Sequence, residues 1–291
     1  MKDMIFKGCG TALVTPFRGG EVDYEAYAAL VDRQVEGGVD FLTALATTAE
    51  TPTLSADEKL RLMQITSDHC GGLPIIAGCG SNSVSGTLAN MELLKGCCFD
   101  AYLVVVPFYN KPTQEGMYLY FKEIAARADK AVIMYNVPGR TGANMTAATC
   151  LRIARDCPNV VGIKEASGKL EQVLEEIAGA PDGFAILSGD DDMTFDIIKG
   201  GGHGVISVAS NLLPGKVSEM TSAALAGDFG RASELDNALK PLYKACFVES
   251  NPIPVKAGME CLGLCTAQVR LPLTEAVAGT RDLMKETLAA L

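Results

Sequence analysis

Residues 131–168 read AVIMYNVPGRTGANMTAATCLRIARDCPNVVGIKEASG. Two β-branched, almost wholly apolar runs, AVIMYNVPG (131–139) and VVGIKEASG (160–168), bracket a helical stretch from Ala147 to Arg155. A run without polar alternation is what a strand covered on both faces carries. A helix between two such strands makes a parallel crossover. The unit recurs in both directions. Upstream, GTALVTPF (10–17) leads to Tyr24 to Glu36, VDFLTALATT (39–48) to Ala56 to Asp68, LPIIAGCG (73–80) to Val84 to Lys95, and AYLVVVPFYN (101–110) to Gln114 to Arg127. Downstream, VVGIKEASG leads to Leu170 to Ile177, GFAILSGDD (183–191) to Met193 to Ile198, and GHGVISVASN (202–211) to Pro214 to Leu225.

Eight strand-then-helix units predict an α/β fold, a closed (β/α)8 TIM barrel. An open doubly wound sheet would want a glycine-rich phosphate turn after its first strand. GTALVTPFRGG is not one, and GGGHG (200–204) precedes a strand instead of opening a helix. Past residue 227 the pattern is helical only: Phe229 to Glu249, a break at Asn251, Pro252 and Pro254, Val255 to Leu262, and Glu275 to Leu288. The expected division is a catalytic barrel domain, 1–227, and a C-terminal helical extension, 228–291, packed on it without a linker.

Composition excludes several function classes. A net charge of −10 with no Lys/Arg cluster argues against nucleic-acid binding, which needs basic groups to release counterions. The start MKDMIFKGCG has Asp3 and Lys7 interrupting any apolar segment, so no secretory signal is expected. A cytoplasmic chain with reduced thiols follows, its ten cysteines read as small buried fillers. Cys261 and Cys265 are four apart and the histidines, His69 and His203, lie in no ligand motif, so no metal is expected. No run of about 18 apolar residues predicts a membrane helix.

In such a barrel the chemistry gathers where strands end. Those ends carry Thr47, Thr48 and Glu50; Phe108, Tyr109 and Asn110; Tyr135, Asn136 and Arg140; Lys164 and Glu165; Ser188, Gly189 and Asp190; and Ser207. A lysine drawn into an apolar barrel loses solvation of its charged form, and its pKa falls from about 10.4 towards neutrality. A neutral amine attacks ketones to form a Schiff base. Taken alone, GIKE reads more readily as a lysine that caps its strand, pairs with Glu165 or reaches water. Lys164 and Glu165 cannot both face inward, since successive strand residues alternate. Tyr135 is either a wall-packing ring or a proton relay through Thr47 and Tyr109. The threonines are either ordinary strand residues or donors to a small carboxylate. Asp190, Asp191 and Asp192 are expected to cap and charge the next helix.

LATTAETPTL, VVVPFYNKPTQEG, MYNVPGRTG, VVGIKEASG, LSGDD, GGHGVISV and FVESNPIPVK together resemble, in order and spacing, the dihydrodipicolinate synthase (4-hydroxy-tetrahydrodipicolinate synthase) family. The resemblance covers essentially the whole chain. It implies a class I pyruvate-dependent aldolase in which Lys164 forms the Schiff base and Tyr135 shuttles protons with Thr47 and with Tyr109, the latter serving a neighbouring subunit. Thr47 and Thr48 would hold the pyruvate carboxylate, Arg140 the carboxylate of L-aspartate 4-semialdehyde, and the backbone of Gly189 and Ile206 would line the lysine pocket. The implied reaction is the first committed step of diaminopimelate and lysine biosynthesis, run without metal or organic cofactor by a homo-oligomer, commonly a tetramer built from two tight dimers. Sugar-acid lyases such as N-acetylneuraminate lyase share the lysine and tyrosine but generally lack the arginine. A catalytically silent homologue would not need Lys164, Tyr135, Thr47 and Arg140 together.

Two departures from the family pattern stand out. Ala49 replaces a glycine, which requires a negative φ there. At positions matching the family's lysine-feedback pocket the chain has Ala56, Lys59, Gly86 and Phe108. Lys59 would repel the ammonium of lysine and Gly86 supplies no carboxylate, so feedback is expected to be weak or absent.

Overall fold

The computed structural model describes residues 4–291; Asp3 lies outside them. Eight parallel strands alternate with helices: β1 (Gly8–Ala12), β2 (Phe41–Ala44), β3 (Ile75–Gly78), β4 (Ala101–Val105), β5 (Ala131–Asn136), β6 (Val160–Glu165), β7 (Ala185–Ser188) and β8 (Gly204–Ser207). The matching helices are α1 (Tyr24–Glu36), α2 (Ala56–His69), α3 (Val84–Leu94), α4 (Gln114–Arg127), α5 (Ala147–Asp156), α6 (Leu170–Gly179), α7 (Thr194–Lys199) and α8 (Pro214–Leu225). Strands pair in chain order and β8 returns to β1, closing the barrel that the apolar runs predict.

Period-two alternation sorts the side chains. Phe41, Leu103, Ile133, Tyr135, Leu187 and Ile206 fill the barrel, while Leu42, Val104, Val132, Met134 and Ile163 face the helices. Gly10 faces the interior, where a Cβ would stand 2.0 Å from the Phe41 ring; its hydrogen leaves Phe41 room to plug the barrel.

Several strands are shorter than their apolar runs. The first ends at Ala12, and Phe17–Arg18 instead pair with Glu21–Val22 in a small hairpin. Leu13, Val14 and Phe17 are nonetheless buried, so hydrophobicity marks the core there without marking a strand. Asp191 departs from the capping expectation. Its carboxylate accepts from the Ser207 hydroxyl and, at 3.0 Å each, from the peptide N–H groups of Val208 and Ala209, pinning the end of β8. The cysteines also divide: Cys9, Cys79, Cys150, Cys157 and Cys246 are buried, whereas Cys98 and Cys261 are exposed. No helix among the described residues is long and apolar enough to cross a membrane.

Beyond the barrel run α9 (Phe229–Ala245), α10 (Ile253–Cys261) and α11 (Ala278–Ala289). The extension grips the loop after β2. Lys256 of α10 donates to Glu50 Oε1 at 2.6 Å and to the Gln268 carbonyl at 2.6 Å, and the Arg270 peptide N–H donates to Glu50 Oε2 at 2.9 Å. Arg270 also pairs with Glu58 at 2.6 Å. Glu58 in turn completes the box with Ser55 that starts α2.

Candidate active site

Lys164 is the penultimate residue of β6, 3% exposed, and sits in register opposite Tyr135 of β5. Its Nζ lies 4.6 Å from the centre of the Tyr135 ring. Burial lowers the ammonium to about 8; Asp190 and Asp191 oppose the fall and Arg140 adds to it. The Tyr135 phenol is pushed up to about 12, chiefly by burial, with Arg140 and the Thr47 hydroxyl pulling the other way. Asp190, largely buried at the end of β7, is raised to about 6. An amine poised near neutrality beside a phenol that keeps its proton is equipped for nucleophilic attack with proton donation.

Gly189 gives Lys164 its space. A Cβ there would lie 3.1 Å from Lys164 Cε and 2.8 Å from the Ala166 Cβ. Ile206 packs in the same interior cluster as Tyr135 and Leu187. Next to Tyr135 a cavity of about 450 Å³ opens, with Thr47, Lys59, Ser81, Phe108, Tyr135 and Arg140 among the residues that line it. Thr47 to Ala49 form a short 3-10 turn, so Ala49 avoids the left-handed region; Glu50 adopts it instead, at φ 54°. The Thr48 hydroxyl is 2.9 Å from Asn251 Nδ2, which donates to it. Arg140 stands on the turn Pro138–Thr141 and donates to the Asn251 carbonyl at 3.3 Å.

The barrel therefore brings Lys164, Tyr135, Thr47, Gly189 and Arg140 to one end. It does not bring Tyr109 to them within one chain. That ring is 87% exposed, on a residue at φ 73° whose N–H donates to the Thr141 carbonyl. Glu165 faces away from Lys164, as alternation requires, and binds Asn136 and Ser167 outside the barrel wall. Lys256, Asn251 and Arg270 were given no role from the sequence. The one signal is the place of Asn251 and Lys256 in FVESNPIPVK, because nothing local to an extension helix says that it reaches a loop some 200 residues upstream.

Residues 5–291 match the model of the dihydrodipicolinate synthetase family. The 4-hydroxy-tetrahydrodipicolinate synthase of Thermotoga neapolitana is 46% identical over 288 residues, covering 98% of each chain. That of Koribacter versatilis is 48% identical over 275 residues, covering 93% of this chain and 91% of the relative. Among solved structures, dihydrodipicolinate synthase from Thermotoga maritima superimposes with a TM-score of 0.96 at 42% identity, covering 99% of this chain and all of the other. A monomeric dihydrodipicolinate synthase variant gives 0.97 at 43% identity, covering 98% and 97%. With the barrel, the lysine at its carboxyl end and matches over almost every residue in agreement, the chain belongs to the dihydrodipicolinate synthetase family.

Proposed function

We propose that this chain is a 4-hydroxy-tetrahydrodipicolinate synthase that condenses pyruvate with L-aspartate 4-semialdehyde. The observation that carries the reading is Lys164: a 3%-exposed ammonium lowered to about 8 and held against a tyrosine ring. At pH 8 about half of such an amine is neutral and nucleophilic. It attacks the pyruvate ketone, and loss of water leaves an imine. Tyr135, still protonated, hands a proton to the departing hydroxyl and recovers one afterwards through Thr47. The imine then gives up a methyl proton; the enamine attacks the aldehyde, and ring closure through the semialdehyde's amino group frees Lys164.

Thr47 and Thr48 serve the pyruvate carboxylate. The Asn251 amide already occupies an acceptor position of the Thr48 hydroxyl, which leaves its proton available to a ligand. Arg140 at the cavity mouth takes the second carboxylate. Gly189 and Ile206 shape the lysine's surroundings. We assign Tyr109 to a neighbouring subunit's relay, consistent with its exposure, and hence a homo-oligomer, a dimer of tight dimers, in the cytoplasm. The monomeric relative of nearly the same fold means that the fold alone does not dictate assembly. The barrel, 1–227, would carry the chemistry and the extension, 228–291, would fix its substrate loop.

The test is turnover with pyruvate and aspartate semialdehyde, set against cleavage of sugar acids. Faster sugar-acid cleavage would overturn the proposal. Tyr135→Phe should lower kcat by about 100-fold or more, the usual range for losing a proton-transfer group, yet still permit borohydride trapping of pyruvate on Lys164. Unchanged kcat would remove Tyr135 from the relay. Lysine feedback should be weak, because Lys59 lines the cavity with Phe108 and sets an amine where the ammonium of lysine would have to bind. A sub-millimolar inhibition constant for lysine in a steady-state assay would contradict this.

A further inference from the structure

Behind the barrel wall, on the face of β6 opposite Lys164, two carboxyl groups lie fully enclosed. Glu165 is 1% exposed and Glu176, from α6, is 0% exposed. Glu165 accepts from the Ser167 N–H at 2.7 Å and from Asn136 Nδ2 at 3.0 and 3.2 Å. Gln172 reaches both acids, at 3.4 Å to Glu165 and 3.5 Å to Glu176. Asn136 Oδ1 accepts from the Met145 N–H at 3.0 Å, tying in the segment that leads into α5. Oε2 of Glu176 is buried with no donor at all.

Two enclosed carboxyls side by side cannot both ionise without severe repulsion. Donors decide where the charge rests: Glu165 has the stronger set, and Glu176 has one long contact. A proton on Glu176, given to Glu165, satisfies the orphaned oxygen and both acids at once. We infer that Glu165 and Glu176 share a single proton and, with Asn136, form a clamp that holds the ends of β5 and β6 together, positioning Tyr135 beside Lys164. The residues joined by the clamp, Asn136 and Glu165, each directly follow one of that pair in sequence and are themselves register partners. Glu165 and Glu176 touch no substrate; they are positioning residues, and their role rests on the Schiff-base reading above.

The ionisable groups facing the pair are Cys150 of α5, Glu175 on the same helix and Asp190 at the end of β7, with Tyr135 across the barrel wall. None is a cation. Burial and Glu165 push Glu176 up to about 9, so the shared proton is kept at neutral pH and leaves in mild alkali. Its departure sets two carboxylates against each other and loosens the clamp.

The first test is the pH profile of kcat. The wild type should show an alkaline fall near about pH 9. Glu176→Gln, whose amide still donates to Glu165, should lose that limb. Glu176→Leu leaves Glu165 without this donor and should lower kcat about 10-fold or more at every pH, since a small misplacement of reacting groups costs up to about 100-fold. An alkaline limb retained in Glu176→Gln, or full kcat in Glu176→Leu, overturns the clamp. A second measurement needs no variant: difference infrared spectra between pH 7 and pH 10 should show a carboxylic acid C=O band lost from the folded wild type. No such band overturns the shared proton. Borohydride trapping of pyruvate separates the two proposals. Absence of any adduct in the wild type defeats the Schiff-base reading, whereas the infrared result stands or falls on the acid pair alone.

Discussion

Lys164→Ala should lower turnover by on the order of 10⁴-fold or more, the scale reached when a covalent nucleophile is removed, and should abolish the pyruvate adduct trapped by borohydride. The alanine cannot form the imine, and no other amine takes its place. The cations that line the cavity beside Tyr135 are Lys59 and Arg140. The fold should survive, because truncation of the buried Lys164 relieves a desolvated charge. Mass spectrometry of the reduced protein decides the matter. An adduct persisting in Lys164→Ala at the wild-type level would place the Schiff base elsewhere.

The second large effect is on stability. Lys256 and Glu50 are both wholly enclosed, 2.6 Å apart. Removing one partner of such a pair strands the other charge in a medium that cannot solvate it, at about 3–5 kcal/mol. Lys256→Met should therefore shift the thermal midpoint down by roughly 10 °C for a chain of this size, at about 2–4 °C per kcal/mol. Glu50 directly follows the 3-10 turn of Thr47 and Thr48, so KM for pyruvate should rise as well. The double change Lys256→Met with Glu50→Gln should recover part of the loss by removing the stranded charge. Calorimetry and steady-state kinetics check both. A midpoint within about 2 °C of the wild type would mean the pair contributes no more than an exposed one.

The barrel was legible because its strands are covered on both faces and so read as unbroken apolar runs, a signal composition cannot hide. Lys164 stands out in the sequence as a charge inside such a run, but GIKE alone favours a structural lysine, and its assigned role comes from the family resemblance. Strand ends were less legible: Leu13, Val14 and Phe17 are apolar because helices and the extension cover them, not because they pair in the barrel. Asp191 looked like a cap but binds across to the end of β8, a partner 16 residues away. Glu50 and Glu176 illustrate the general limit. Their roles come from groups brought close by the closed fold, and an acidic letter in a loop or on a helix face says nothing of them. Tyr109 is read differently again, since a single chain leaves it exposed.

The separation of Glu50 from Lys256 along the chain, 206 residues, also has a temporal side. A ribosome adding about 5–20 residues per second takes roughly 10–40 s to cover that distance. Throughout that interval the nascent chain carries the Glu50 carboxylate without the ammonium that neutralises it. Barrel closure itself waits only for β8, which ends at Ser207. The newborn chain can thus complete its sheet before its pyruvate loop is set, and catalytic competence arrives with the last fifth of synthesis.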